Sequence, residues 1–569
     1  MKNEIFPTLI TPYVSKMDSN TPWNEYPRPS MVRESFLCLN GAWDFAVCKN
    51  GAAPEYKEKI LVPFPPESLL SGVQREIPAG SVMHYKRSFS IPDGFNKGKL
   101  ILHFGAVDTI CDVYLNGEHI IHHEGGYLPF SADISHTVRN GENELYLKVV
   151  DNLSEIYPYG KQKRARGGMW YTPTSGIWQT VWVESVPENY IQKIKITPTS
   201  SDVKIEVIGG ESAKVLTLLD SGESFEFSGN EITVAPKNPR LWTPDEPNLY
   251  RFRIESGEDA VESYFALREI KIASANGVPR ILLNGKPYLF NGLLDQGYFP
   301  DGIFLPATSK GYEDDILTAK KLGFNMLRKH IKVEPEIFYH LCDKLGMVVF
   351  QDLINNSGYS YIFDTVLPTI GMKRFPDTHL HRNKRSRAVF EQHMYDIFNH
   401  LFNFPSILYY TIFNEGWGQF LADKMYEKAK KAEPTRIIDT TSGWFVRSKS
   451  DVDSRHVYFK PVTVDKPSER PIVISEFGGY SYRVDGHLFG SNNYGYSIFE
   501  NENDFSDAFL KLYTDELEPL IEKGICALVY TQISDVEDET NGLVTYDRRH
   551  VKLNVDKTKD VMQKLYEKI

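Results

Sequence analysis

Residues 406–419 read SILYYTIFNEGWGQ, an apolar run rich in strand-forming residues (Ile407, Leu408, Tyr409, Tyr410, Ile412) that stops abruptly at Asn414, Glu415, Gly416 and Trp417. Such a run predicts a buried strand. A carboxylate at its end, beside an amide and an aromatic ring, is costly to place there unless it is used. Further along, residues 471–480 read PIVISEFGGY and repeat the pattern, so that Glu476 also closes a strand. Either glutamate alone reads first as a solvated loop residue or a helix N-terminal charge. The pair points to chemistry: glycosidic hydrolysis needs one carboxyl to protonate the leaving oxygen and one carboxylate to attack or stabilise the anomeric carbon, about 5–5.5 Å apart when configuration is retained.

Outward from these two strands, the chain from residue 274 alternates strands with helical periods. Candidate strands fall at 288–294, 324–328, 347–352, 407–413, 437–441, 456–459, 471–475 and 527–532, and apolar positions at helical spacing fall at 311–322, 335–345 and 388–401. Eight strands match a closed parallel barrel, and Glu415 then follows strand four and Glu476 strand seven. The expected fold class is multidomain, with β domains followed by a C-terminal (β/α)8 TIM barrel over 274–569. Residues 1–184 read as β throughout, as in the alternating 85–91, 100–104 and 144–150. Asn116-Gly117 between two such runs predicts a hairpin with a type I′ turn. Residues 185–273 form a second β-rich segment of immunoglobulin-like size.

At 569 residues the chain exceeds what one core supports, and 41% hydrophobic with 24% charged residues leaves ample material for packed cores. Aromatics at 13% suit sugar stacking and β-sandwich cores alike. A net charge of −11 without a dominant basic run argues against nucleic acid or an anionic membrane as partner. Five scattered cysteines with no CxxC spacing indicate neither a disulfide framework nor a zinc site. The first twenty residues have no continuous apolar segment, and no later run approaches the ~18 apolar residues of a membrane helix, so a cytoplasmic location is expected. A chain trimmed of a leader would read the same.

The sequences NEGWG and SEFGGY resemble the acid/base and nucleophile strands of glycoside hydrolase family 2, the family of bacterial β-galactosidases, β-glucuronidases and β-mannosidases. HEGGYLPF (123–130) and SGIWQTVW (175–182) are similar to its N-terminal jelly-roll β-sandwich, the so-called sugar-binding domain, and PRLWTPDEPNLY (239–250) to its middle, immunoglobulin-like domain. The resemblance implies Glu415 as acid/base and Glu476 as nucleophile. It implies Asn414 on the 2-hydroxyl, Arg328 (in NMLRKH, 325–330) and Tyr458 on the nucleophile, and His330 on a sugar hydroxyl or in a structural role. His330 stands one position earlier than the usual pattern has it. Strand three ends in Gln351-Asp352, where better-known members carry glutamate, which makes Asp352 a candidate for hydroxyl recognition. Strand one carries Asn291-Gly-Leu-Leu-Asp295-Gln296 instead of the Asn-Arg-His-Glu run of β-galactosidases, leaving Asp295 as the candidate there. Trp444 and Tyr530 are candidate stacking platforms, or barrel packing. The acid-rich DVEDETN (535–541) is a solvated loop or a rim of the pocket.

The implied activity is that of an exo-acting retaining β-glycosidase working through a covalent glycosyl-enzyme, β-galactosidase-like first, with β-glucuronidase or another β-hexosidase as the alternative. A non-catalytic carbohydrate-binding protein on the same scaffold is the rival of another class. The expected partner is a small glycoside or oligosaccharide, and a homo-oligomer is compatible with this composition. No organic cofactor is expected, because two carboxylates suffice, and no metal ligand set is read. Members that cut glucuronides carry an Asn-x-Lys element after the last strand; here Leu543 stands two positions after Asn541, leaving Arg548 and Arg549, or Arg164 and Arg166, as substitutes.

Overall fold

The computed structural model describes residues 9–369, 377–378 and 381–569. The N-terminal domain packs a four-stranded sheet (Leu37–Cys38, Val181–Val186, Lys99–Phe104, Phe130–Asp133) on a six-stranded one running from Glu58–Val62 to Glu118–Glu124. Strand Glu142–Val150 shows why: Leu145, Leu147 and Val149 alternate with polar residues and join Trp43, Phe45, Tyr85, Leu102 and Val113 in one core. The expected hairpin is there, Leu115 opposite Glu118, with Asn116 and Gly117 both at positive φ, 53° and 86°, as a type I′ turn requires. The second domain pairs a three-stranded sheet with a four-stranded one, between Ile191 and Phe265, around Ile194, Ile205, Leu216, Phe252 and Ile254.

The C-terminal domain is an eight-stranded parallel barrel. Its strands are β1 (Phe290–Asp295), β2 (Met326–Lys329), β3 (Val348–Asp352), β4 (Ile407–Asn414), β5 (Ile437–Ser442), β6 (Asp453–Val457), β7 (Ile472–Gly478) and β8 (Ile525–Thr531). They lie in the order 5-4-3-2-1-8-7-6, and every residue of β4 is buried, as a strand covered on both faces must be. Helices α1 (Lys310–Lys321), α2 (Glu336–Leu345), α3 (Lys384–Leu401) and α4 (Ala422–Ala432) follow the first four strands in turn. A hairpin, Ile270–Ala275 with Val278–Leu283, precedes β1 and sends Ile281 and Leu283 into the core that holds Phe290, Met326, Val348 and Leu408. Strand six differs from expectation: it spans Asp453–Val457, earlier than 456–459, with a register shift between Arg455 and His456 and a last pair of Val457 opposite Phe477. Among the described residues no helix is long and apolar enough to cross a membrane.

Candidate active site

Strand β4 delivers Asn414 to the barrel mouth, and Glu415 then adopts φ +52°, a left-handed conformation that costs a non-glycine residue about 1–2 kcal/mol. The corner is held by Glu415 N–H donating to the Ser442 carbonyl at 2.9 Å. It also needs Gly416, at φ +76°, where a Cβ would meet the Phe445 ring at 2.2 Å. The Glu415 side chain turns toward β6, where Oε1 lies 2.8 Å from His456 Nδ1.

Glu476 sits within β7 and is buried. Its Oε1 accepts from Arg328 Nη1 at 3.0 Å, its Oε2 accepts from Tyr458 Oη at 2.8 Å, and His456 Nδ1 stands 3.4 Å from Oε2. Burial works against the charge on Glu476, but His456 and Arg328 outweigh it and hold the carboxyl below the usual range. Arg328 is 1% exposed and spends every arm: Nε on Asp352 Oδ1 and Nη2 on Asn414 Oδ1, both at 2.9 Å, and Nη1 also on the Ser475 carbonyl. With Oδ1 so engaged, the donor that Asn414 can offer a ligand is its Nδ2. One oxygen of Glu415, one of Glu476 and a nitrogen of His456 all lie within 4.8 Å of one another. That grouping is hydrogen-bonded rather than suited to a metal ion, since a guanidinium 3.0 Å from Glu476 opposes a second cation there.

His330 and Trp444 also reach this centre. His330 Nδ1 meets Asp352 Oδ2 at 2.7 Å, and burial drives its pKa down, so the neutral ring donates to Asp352 and keeps Nε2 as an acceptor. Trp444 is half-buried and stands edge-on to His456 at 5.9 Å. Three expectations need correction. Asp352 has both oxygens taken, by Arg328 and His330, so it braces the site instead of reading a hydroxyl. Asp295 accepts from Lys329 Nζ at 2.6 Å and from Gly297 N at 2.8 Å, within a buried cluster that includes Glu334 and Lys332. Tyr530 is fully buried among Phe477, Phe509 and Tyr480 and has no open face for stacking.

The N-terminal domain supplies one wall. Its segment 155–172 docks on the loop after β3, with Tyr159 N donating to Asn355 O at 3.2 Å and Asn356 Nδ2 to Ile156 O at 2.8 Å. Thr172 N reaches Glu537 Oε1 at 2.8 Å, and Tyr171 Oη donates to Glu539. Trp170 packs on Trp417, the residue two after Glu415, at 5.2 Å. Lys161 is 9% exposed, its Nζ lies 5.8 Å from the Trp170 ring centroid, and among the described residues it forms no ion pair. Its charge is felt by Glu476, His330 and Glu539. The acid-rich segment is not a solvated loop: Asp535, Glu537, Asp538 and Glu539 are buried, and Asp535 pairs with Lys552 at 2.7 Å. Each arginine offered as an anion receptor is engaged elsewhere: Arg164 on Ile77 O, Arg166 with Glu537, Arg548 with Asp315, and Arg549 with Asp547.

Sequence reasoning missed four residues here: His456, Lys161, Trp170 and Tyr496, whose ring stacks on Tyr458 at 4.0 Å. Only the Trp170-Tyr171 pair after a Gly-Gly carried a signal, since aromatic residues in a loop have to be covered by something.

Three family models match the chain: "Glycosyl hydrolase 2 galactose-binding domain-like" over residues 74–190, "Glycosyl hydrolases family 2" over 182–268, and "Glycosyl hydrolases family 2, TIM barrel domain" over 277–565. Among curated relatives, a putative beta-glucuronidase of Formosa agariphila is 27% identical over 47% of this chain and 34% of its own length. A beta-galactosidase of Thermoanaerobacter pseudethanolicus is 26% identical over 50% of this chain and 40% of its own. The chain thus spans less than half the length of these relatives. The solved beta-D-glucuronidase of Dictyoglomus thermophilum shares the fold at a TM-score of 0.74 and 18% identity, covering 95% of this chain and 98% of that one. With one model covering the barrel and two more covering the β domains in sequence order, the chain belongs to glycosyl hydrolase family 2.

Proposed function

We propose that the protein is an exo-acting, retaining β-glycosidase, with Glu476 as nucleophile and Glu415 as acid and base. The observation that carries this is the unequal setting of two neighbouring carboxylates: Glu476 is held as an anion by Arg328 and Tyr458, whereas Glu415 stands less buried at a strained corner beside it. Glu476 attacks the anomeric carbon as Glu415 passes its proton to the leaving oxygen. Glu415, now a carboxylate, then takes a proton from the water that releases the sugar. Asn414 Nδ2 meets the 2-hydroxyl, a contact that strengthens as charge develops. The test is a pair of variants on activated aryl glycosides. Glu476→Ala should lose both steps, Glu415→Ala should still form the glycosyl-enzyme, and azide should rescue the two with opposite anomeric products. Ordinary turnover by Glu476→Ala would overturn the assignment.

For the sugar, the beta-galactosidase among these curated relatives supports a terminal β-galactoside. A second reading, a β-linked uronide, is favoured by Lys161, a buried cation of the N-terminal domain that forms no ion pair among the described residues and whose charge reaches Glu476. An ammonium there would pair with a substrate carboxylate as a point charge. A cytoplasmic location goes with small glycosides as substrates, and release of internal fragments from a polysaccharide would count against exo action.

A further inference from the structure

His456 lies at the junction of four barrel strands. The register shift in β6 sets it opposite Glu476 of β7, and its ring nests against Gly443, where a Cβ would come within 2.5 Å of Cγ. Its Nδ1 faces two carboxylates, Glu415 Oε1 at 2.8 Å and Glu476 Oε2 at 3.4 Å, and its Nε2 lies 2.7 Å from Ser442 Oγ on β5. Asp439, also on β5, is buried and interacts with the ring through its charge, and Arg328 and Tyr458 reach the ring through Glu476. Trp444 covers one edge.

Hydrogen-bond accounting places a proton on Nδ1. Glu476, held as an anion, only accepts, so the nitrogen facing it carries a proton. Nε2 lies against Ser442 Oγ, whose other neighbour, Ser475 Oγ, is 3.1 Å away, accepts from Ser454 Oγ at 2.7 Å and donates to Arg455 O. Nδ1–H thus lies between two glutamates, with the Ser442 hydroxyl behind the ring.

Resting on the roles given above to Glu415 and Glu476, we propose that His456 is a positioning residue whose single Nδ1–H serves the two glutamates in turn. Before the first step the negative charge is on Glu476. When the C1–Oε bond forms and the C1–leaving-oxygen bond breaks, the leaving oxygen takes the Glu415 proton, Glu476 becomes a neutral ester and the charge moves to Glu415. Water then attacks C1 and gives its proton to Glu415, and the bonding pair returns to Glu476. Throughout this exchange the Nδ1–H has a charged acceptor within reach, and it keeps Glu415 Oε1 as an acceptor so that the acidic proton sits on the oxygen facing the substrate.

The test uses the full chain with His456→Leu, His456→Asn and His456→Gln. It measures kcat/KM against pH on p-nitrophenyl β-D-galactoside and β-D-glucuronide, trapping by the matching 2-deoxy-2-fluoro glycosyl fluorides, and thermal unfolding. An asparagine amide overlays Nδ1 and restores the donor, whereas a glutamine amide overlays Nε2 and keeps only the Ser442 contact. His456→Leu should lower kcat/KM by about tenfold to a hundredfold, the worth of a hydrogen bond to a charged group, and should move the acid limb of the profile upward. His456→Asn should recover most of the rate and the limb, and His456→Gln should recover neither. Equal behaviour of the Asn and Gln variants with an unmoved acid limb would mean that the ring only packs, and would overturn the inference alone. A wild type that turns over neither glycoside and is not trapped on Glu476 would overturn the reading of the site and this inference with it.

Discussion

Arg328 Nη1 and Glu476 Oε1 lie 3.0 Å apart in the barrel interior, and the same guanidinium also binds Asp352 and Asn414. One cation from β2 therefore fixes side chains from β3, β4 and β7 at once. Because it counters a burial that would otherwise raise the Glu476 pKa, it keeps the nucleophile charged.

Replacing Arg328 by Met should leave Glu476 and Asp352 buried without their counter-charge. Breaking a buried pair from one side costs about 3–5 kcal/mol, so a large fall in unfolding free energy is expected. Both carboxyls are depressed in the native protein. Their contribution to stability is present above the unfolded-state pKa, about 3.9–4.3, and is lost as pH falls through the folded values. Denaturant melts against pH should show this loss in wild type below about pH 4, and should show it diminished in Arg328→Met, whose carboxyls are no longer held as far below the unfolded range.

Asp295 should matter to stability and not to substrate. Asp295→Asn leaves Lys329 and Lys332 sharing Glu334 in a dry cluster, and burial already pushes Lys332 down to about 8. A loss of about 3 kcal/mol is expected, with kcat/KM of the folded fraction changed by less than about threefold. A selective rise in KM at unchanged stability would contradict this.

Lys161 should set the balance between acidic and neutral sugars. Lys161→Met is expected to shift the ratio of kcat/KM for glucuronide to that for galactoside, measured with one leaving group, by about tenfold or more toward galactoside. A uniform loss on both substrates would point to a counter-charge for Glu539.

Tyr530→Phe keeps the ring packed among Phe477, Phe509 and Tyr480 and removes only the hydroxyl that accepts from Tyr480 N at 3.3 Å. Activity should stay within about twofold and stability within about 1 kcal/mol. A large loss of activity would restore Tyr530 as a substrate contact.

The barrel was legible because its strands are continuous apolar runs ending in polar residues, a pattern set by burial on both faces. Glu415 and Glu476 stood out for the same reason. His456 did not, since its importance comes from a bulge that shifts the register by one residue and leaves no mark in composition. Asp295 and Asp352 looked like ligands because strand ends usually carry them, yet whether a carboxylate is free depends on cations such as Lys329 and Arg328 elsewhere in the chain. The hairpin before β1 did carry a signal in Asn276-Gly277 at its turn, a pair with both residues at positive φ. The acid-rich loop misleads for the opposite reason: charge alone reads as solvent exposure, and its burial depends on Lys552, Thr172 and Tyr171, which only the fold brings near.

The docking of segment 155–172 on the loop after β3 has a consequence for the order of events after synthesis. More than half of the chain's length separates Lys161 and Trp170 from Glu539, so the pocket is walled only once the N-terminal domain has closed on the segment after β8. Competence is then acquired late and all at once: a barrel already complete in its secondary structure would still lack one side of its pocket until these two distant segments meet.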